Sequence, residues 1–230
     1  MVGLNRKKPE PDKGELPCRV LANRSLTPGL FELKLEKPPG FDFLPGQRVR
    51  LGLRGIRREY TMISSPQEPE LAFYLREVAG GSLSPLLAEA QPGHTIHLSG
   101  PLGYFTFRPS LRQAVFVATG TGLAPFVSMA RAGQRGFILL HGVRSPDELH
   151  YQEIFQEAAA LYVPCLSQVR NAEELPSDGF QGRTTAFLET SLSPGAYDFY
   201  LSGRREMIRE AIGLVDGLFP GSSVFSEVFY

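Results

Sequence analysis

Cysteine is almost absent from this chain: Cys18 and Cys165 are the only two. That excludes a disulfide framework and a cysteine cluster for zinc or iron–sulfur. Both lie in apolar, strand-like settings and read as buried free thiols. Histidine is scarce too. His94, His97, His141 and His150 show no ligand spacing with Cys or Asp, so no metal site is expected, and no Ser-His-Asp arrangement stands out. Neither sign of charge is in excess: 24 Lys and Arg face 24 Asp and Glu. A net charge of zero argues against bulk electrostatic binding to nucleic acid or to an anionic membrane. No apolar run reaches the length of a membrane span. The opening "MVGLNRKKPEPDKGE" has basic residues with no apolar segment after them, which is not a secretory pattern. Residues 1–15 are expected to form a polar, mobile tail. These features together lead us to expect a soluble, cytoplasmic protein, and a monomer is expected as its state.

What is present is enough for a substantial core. The chain has 230 residues, 42% of them hydrophobic, which suits one large domain or two modest ones. The first half alternates with period 2. In "FELKLEK", Phe31, Leu33 and Leu35 oppose Glu32, Lys34 and Glu36; in "QRVRLGLRG", Val49, Leu51 and Leu53 oppose Arg48, Arg50 and Arg54. "ELAFYLREV" and "HTIHLSG" are further strands, separated by the turn signals "KPPG", "LPGQ", "QPGH" and "GPLG". Short strands with regular turns predict an antiparallel barrel or sandwich. One helix interrupts them, with Ser84 as N-cap and Pro85 at its first position, running to Ala90.

The second half changes period. "AVFVATG" is a continuous apolar run, as for a strand buried on both faces. Helix "APFVSMARA", strand "FILLHGV", helix "DELHYQEIFQEAAALY", strand "CLSQV", helix "TTAFLETSL", strand "YDFYLSG", helix "REMIREAIGLVDGLF" and strand "SSVFSEVFY" follow. This alternation predicts βαβ units in a five-stranded parallel sheet. The domains are accordingly placed at 16–109 and 110–230, with the change near "RPSLRQ".

Ligands in such sheets lie beyond the strand C-termini. There, Gly120 and Gly122 follow a buried strand and Pro125 opens a helix. Glycines admit a close backbone approach, and free N–H groups at a helix start favour an anion. The next strand ends "LLHGVRS", with Arg144 and no carboxylate to take ribose hydroxyls. Arg170 and Arg183 follow the third strand. The trio reads as phosphate recognition and points to a 2′-phosphate, hence NADPH over NADH. In the first half, Arg58 could meet a phosphate, Tyr60 offers a flat face for a ring, and Thr61 carries a hydroxyl. "GGSLSP" adds glycines and a helix start, a second phosphate cradle.

These motifs together resemble the ferredoxin–NADP⁺ reductase family, in its compact bacterial form. The family's Arg-x-Tyr-Ser/Thr stands as Arg58-Glu59-Tyr60-Thr61, followed by Ser65-Pro66. Its Gly-x-x-Ser stands as Gly81-Ser82-Leu83-Ser84, its barrel entry as Pro45-Gly46-Gln47, and its pyrophosphate loop as Gly120-Thr121-Gly122-Leu123-Ala124-Pro125. Its late strand-end Cys-Gly stands as Ser202-Gly203, with Met207 after it. The resemblance runs from about residue 17 to the C-terminus. It implies an FAD-binding β-barrel followed by an NADP-binding α/β domain. It implies non-covalent FAD, exchange of a hydride with NADP(H), and single electrons passed to ferredoxin or flavodoxin.

By position, the resemblance puts Arg58 at the FAD pyrophosphate, Tyr60 on the isoalloxazine and Thr61 near flavin N5. Gly81, Ser82, Leu83 and Ser84 would approach the pyrophosphate. Thr119, Gly120, Thr121, Gly122 and Pro125 would hold the NADP pyrophosphate, with Arg144, Arg170 and Arg183 near its adenosine phosphate. Phe229 or Tyr230 would stack on the flavin; the alternative is an edge strand whose aromatics fill the core. Glu227 matches the family's carboxylate near the nicotinamide. Two departures bear on rate: Thr61 replaces the commoner Ser, and Ser202 replaces the Cys facing the nicotinamide. Arg48, Arg50, Arg54, Arg57 and Arg76 form either a docking face for an acidic partner or ordinary solvated charge. The alternative activity is that of a flavin or ferric-chelate reductase of the same superfamily.

Overall fold

A computed structural model describes residues 14–169 and 175–229. Arg170, Tyr230 and most of the expected N-terminal tail lie outside them.

The first half forms six antiparallel strands: β1 (Leu16–Thr27), β2 (Leu30–Glu36), β3 (Arg48–Leu53), β4 (Ile56–Thr61), β5 (Glu70–Arg76) and β6 (Thr95–Leu102). Their order is β4-β3-β6-β1-β2-β5. Just beyond β4, Met62 bridges Phe73 on β5, and the Ile63 N–H donates to the Ala72 carbonyl at 2.8 Å. These bonds close the sheet into a barrel. The inward set is the one the alternation predicts, with Leu33, Leu35, Val49 and Leu51 fully buried. Glu32 breaks the pattern: it is on the polar side of β2 yet buried, because the second half covers that face. The helix α1 (Ser84–Ala88) lies between β5 and β6.

The second half is a parallel sheet of β7 (Gln113–Thr119), β8 (Ile138–Val143), β9 (Leu161–Leu166), β10 (Phe180–Gln181), β11 (Tyr197–Gly203) and β12 (Ser223–Val228). Helices α2 (Ala124–Arg131), α3 (Gln152–Ala158), α4 (Thr184–Thr190) and α5 (Arg205–Leu218) connect them. The order β10-β9-β8-β7-β11-β12 adds a sixth strand to the five expected. At two residues, β10 is too short to leave a periodic trace. Successive strands are added on one side of β7 and then on the other, so the topological switch lies between β8 and β11, beyond the C-terminal end of β7.

The helix expected over 147–162 is broken. A single 3₁₀ turn at Pro146–Glu148 is followed by Tyr151 at φ +63°, and only then by α3. Past Ala158 the chain leaves the helix, because the Ala160 N–H donates to the Phe137 carbonyl at 2.8 Å and Leu161 enters β9.

The barrel and the parallel sheet share one core. Leu30, Ile63, Ala72 and Tyr74 of the barrel pack in the same cluster as Phe116, Phe126 and Tyr200. Polar groups are satisfied across the joint as well: Ser128 Oγ on α2 donates to the Ser64 carbonyl at 2.7 Å, and the Tyr151 hydroxyl donates to Glu32 Oε2 at 2.8 Å. An apolar joint of this kind holds the two halves in register, so side chains from both can build one site.

Candidate active site

The switch point is built from glycines. Thr119 ends β7 in extended conformation, and Gly120–Leu123 make one 3₁₀ turn into α2, with Pro125 in its first turn. Gly120 has φ +55° and open space where a Cβ would stand. Gly122 is the opposite: a Cβ there would lie 2.5 Å from Gly203 Cα and from the Ser202 carbonyl oxygen. The turn therefore lies flat on the end of β11. Gly203 (φ +137°) in turn leaves room for Thr119 Oγ1, which accepts the Arg204 N–H at 3.2 Å.

A cavity of about 710 Å³ opens over these strand ends. Thr119, Gly120 and Thr121 line one wall. Arg144 and Arg183 enter from β8 and from the start of α4, Arg204 from the end of β11, and Arg76 from the barrel. Two of the three expected arginines thus reach one cavity, and Arg170 falls outside the described residues. Arg76 and Arg204 were not foreseen as part of this site. A carboxylate is present after all: Glu148 lines the cavity, accepts the Arg144 N–H at 3.2 Å through Oε2, and holds Oε1 3.6 Å from Arg76 Nη2. The strand-end pattern missed it because it reaches back from the turn four residues later. Thr184 Oγ1, also on the cavity wall, is buried without a hydrogen-bond partner.

On the barrel side, Arg58 and Tyr60 project from one face of β4 and Thr61 from the other, as alternation requires. Arg58 is exposed, with Nη1 donating to the Arg57 carbonyl at 2.7 Å. Tyr60 is half-buried, and burial raises its pKa while Arg58 opposes the rise. Thr61 is buried. The 78–84 loop differs from expectation in its capping. Leu83, not Ser84, occupies the N-cap position, and Ser84 Oγ accepts the Val78 N–H at 3.0 Å. Ser84 thus pins the loop closed. Gly81 is required there, since a Cβ would lie 2.8 Å from the Val78 carbonyl oxygen. Ser82 is exposed, whereas Leu83 is buried in the barrel core.

The two halves meet at Thr61, Ser202 and Glu227. Ser202 and Glu227 are register partners on β11 and β12. Ser202 Oγ and Glu227 Oε2 are both buried with no hydrogen-bond partner. Glu227 Oε1 accepts from Arg48 Nη1 at 2.7 Å. Arg48 Nε also lies 2.7 Å from Glu59 Oε2, an ion pair without hydrogen-bond alignment. Burial raises the pKa of Glu227; Arg48 is the main opposing influence, and the Thr61 hydroxyl pulls the same way. Phe229, half-buried on the cavity wall, is fixed by its N–H donating to the Gly203 carbonyl at 2.8 Å. Tyr230 lies outside the described residues.

Four of the five barrel arginines are ion-paired, and Arg54 is exposed on the turn after β3. Arg48 and Arg50 share Glu59, Arg57 pairs with Glu15 at 2.5 Å, and Arg76 faces Glu148. Alternation places Arg48 and Arg50 on one side of β3 but says nothing of carboxylates arriving from elsewhere. No helix among the described residues is long and apolar enough to cross a membrane.

Buried polar atoms without partners, an arginine-lined cavity and glycines that a Cβ would fill are what a dinucleotide and a second ring-bearing nucleotide require. A closed antiparallel barrel sharing a core with a parallel sheet, with such a cavity at the switch point, defines a two-domain protein built to take a nucleotide. Comparison with known proteins agrees. Residues 22–107 match the oxidoreductase FAD-binding domain and residues 116–212 the oxidoreductase NAD-binding domain. The chain belongs to the ferredoxin–NADP reductase superfamily of FAD-dependent oxidoreductases. It is 30% identical over 185 residues to the flavodoxin/ferredoxin–NADP reductase of Escherichia coli, covering 75% of this chain and 74% of that one. It is 31% identical over 224 residues to the ferredoxin–NAD(P)⁺ reductase component of a Pseudomonas putida naphthalene 1,2-dioxygenase system, covering 92% and 68%. In fold it is similar to a ferredoxin NADP⁺ reductase from Neisseria gonorrhoeae with bound FAD and NADP. That match has a TM-score of 0.82 at 24% identity and covers 95% of this chain and all of the other.

Proposed function

We propose that the protein is a ferredoxin or flavodoxin:NADP(H) oxidoreductase, with FAD held by residues 16–109 and NADP(H) by residues 110–230. The observation that carries this reading is the junction itself. The Thr61 hydroxyl of the barrel acts on Glu227 of β12, whose register partner on β11 is Ser202, and Phe229, two residues beyond Glu227, lines the arginine-lined cavity.

The chain's residues divide the work. Arg58 binds the FAD pyrophosphate, with the glycines of the 80–84 loop giving it backbone room. Tyr60 supplies a stacking face, and Thr61 donates its hydroxyl toward the ring's hydride-accepting nitrogen. Thr119 to Gly122 and Pro125 present the turn that takes the dinucleotide pyrophosphate. Arg144 and Arg183 favour a 2′-phosphate, hence NADPH. Glu227 and Ser202 orient the nicotinamide edge through their unpartnered oxygens, and Phe229 excludes water from that edge until the nicotinamide enters. When bound, the flavin supplies the exchange between hydride and single electrons.

The alternative is a reductase that uses flavin as a dissociable substrate. The tether of Phe229 to Gly203 favours a resident ring instead. Purified protein given NADPH should reduce a ferredoxin or flavodoxin at least about tenfold faster than free FMN or ferric citrate at equal concentration. Equal rates, or protein that copurifies without FAD, would decide for the alternative.

A further inference from the structure

Arg48 joins residues that the sequence scatters. It lies on β3, with Nη1 2.7 Å from Glu227 Oε1 on β12 and Nε 2.7 Å from Glu59 Oε2 on β4. Glu59 is held from its other side by Arg50 Nη2 at 3.1 Å. The Arg48 side chain is 35% exposed and that of Glu227 only 8%, so the guanidinium stands between solvent and a buried carboxylate. Gly103, at φ +89° just past β6, backs this arrangement: the place of its absent Cβ is 3.7 Å from Arg48 Cγ and Nε.

A buried carboxylate keeps its charge only if something compensates it. The charged groups that act on Glu227 among the described residues are Arg48 from β3 and Glu59 from β4, and they act in opposite directions. β4 also brings the Thr61 hydroxyl, and β11 faces Glu227 with Ser202, which carries no charge. By taking Oε1, Arg48 leaves Oε2 as the carboxylate's one unpartnered oxygen.

We propose that Arg48 is the positioning residue for Glu227: one nitrogen on Glu227 and one on Glu59 fix which carboxylate oxygen is left for the active site. The inference rests on the reading of Glu227 as an active-site group. Glu59 serves as the brake in this arrangement. It shares the guanidinium and repels Glu227, so the charge state of Glu227 responds to both neighbours.

The direct test is an isotope-edited infrared titration of Glu227, taken as the difference between ¹³C-Glu-labelled protein and its E227Q variant. The acid limb of NADPH-dependent reduction is measured on the same preparations. In R48Q the titration midpoint moves up and the acid limb moves with it; R48K restores most of both. In E59Q the midpoint moves down, which keeps the inference testable should R48Q fold poorly. An unchanged midpoint in R48Q, or in E59Q, overturns it. If the R48Q midpoint moves while E227Q leaves the pH profile of reduction unaltered, Arg48 holds Glu227 as inferred and the chemical role of Glu227 falls instead.

Discussion

Gly122 and Gly203 touch so closely that a single methyl on Gly122 would stand 2.5 Å from the Gly203 Cα. The obstacle is backbone, so no rotamer change relieves it, and either the turn or the end of β11 must move. Gly122→Ala should destabilise the fold by about 1–3 kcal/mol, the usual range for overpacking, and weaken NADP(H) binding at least about tenfold. Gly120→Ala is the control, since its Cβ meets nothing within 4 Å and only the φ of +55° resists it. Its cost should stay near 1–2 kcal/mol. Calorimetry of both variants with and without the dinucleotide separates the two effects; equal losses would contradict this account.

Arg144 and Arg183 share the cavity with Glu148. If the arginines read a 2′-phosphate, wild type should show a higher kcat/KM for NADPH than for NADH. Arg144→Ala should lower that ratio by about tenfold or more, as expected when a charge-assisted contact of roughly 1.5–3 kcal/mol is lost. Steady-state kinetics with both nucleotides decides it. A wild-type preference for NADH would remove the phosphate reading.

Tyr151 ties the nucleotide half to the barrel through Glu32, a carboxylate with only 7% exposure. Tyr151→Phe keeps the ring packed edge-on against Tyr74 at 5.4 Å but removes the hydroxyl. Leaving a buried carboxylate short of a donor costs about 1–3 kcal/mol. In a chain of this length that lowers Tm by about 2–4 °C per kcal/mol. An unchanged Tm would show that the joint does not depend on this bond.

His141 is fully buried on β8, hydrogen-bonded to the Tyr162 hydroxyl at 3.0 Å, and burial pushes its pKa down to about 3. Unfolded, it protonates near 6.5, so between those values the unfolded chain binds the extra proton. Stability from His141 is therefore intact above about pH 6.5 and is lost as pH falls toward 3. His141→Gln keeps a hydrogen-bonding group and should flatten the acid slope of stability by up to about 1.4 kcal/mol per pH unit. Urea melts of both proteins across this window measure the slope.

The sequence disclosed those parts of the fold that repeat locally. Period-2 runs such as Phe31-Leu33-Leu35 and the apolar run Ala114–Ala118 lie in the strands they predict, because burial on one face or on two leaves a regular trace. The turn at Gly120–Pro125 was legible for the same reason, since its chemistry is contiguous. Contacts between distant segments were not. Arg48 meets Glu227 across 179 positions, and nothing near either residue signals the other. The helical pattern over 147–162 is broken at Tyr151, whose left-handed backbone no residue pattern announces. Ser84 looked like a helix cap but serves the Val78 amide, because the 78–84 loop folds back on itself.

A resident flavin that a bound NADPH can reduce across the Thr61–Glu227 junction is what the proposed function requires. The most direct measurement is the visible spectrum of the purified protein, followed under anaerobic conditions as NADPH is added. The expected result is flavin absorbance at about one FAD per chain, bleached by one equivalent of NADPH, with Thr61→Val slowing the bleaching and leaving the initial spectrum intact. A colourless protein that fails to take up added FAD, or a bound flavin that NADPH does not bleach, would contradict it.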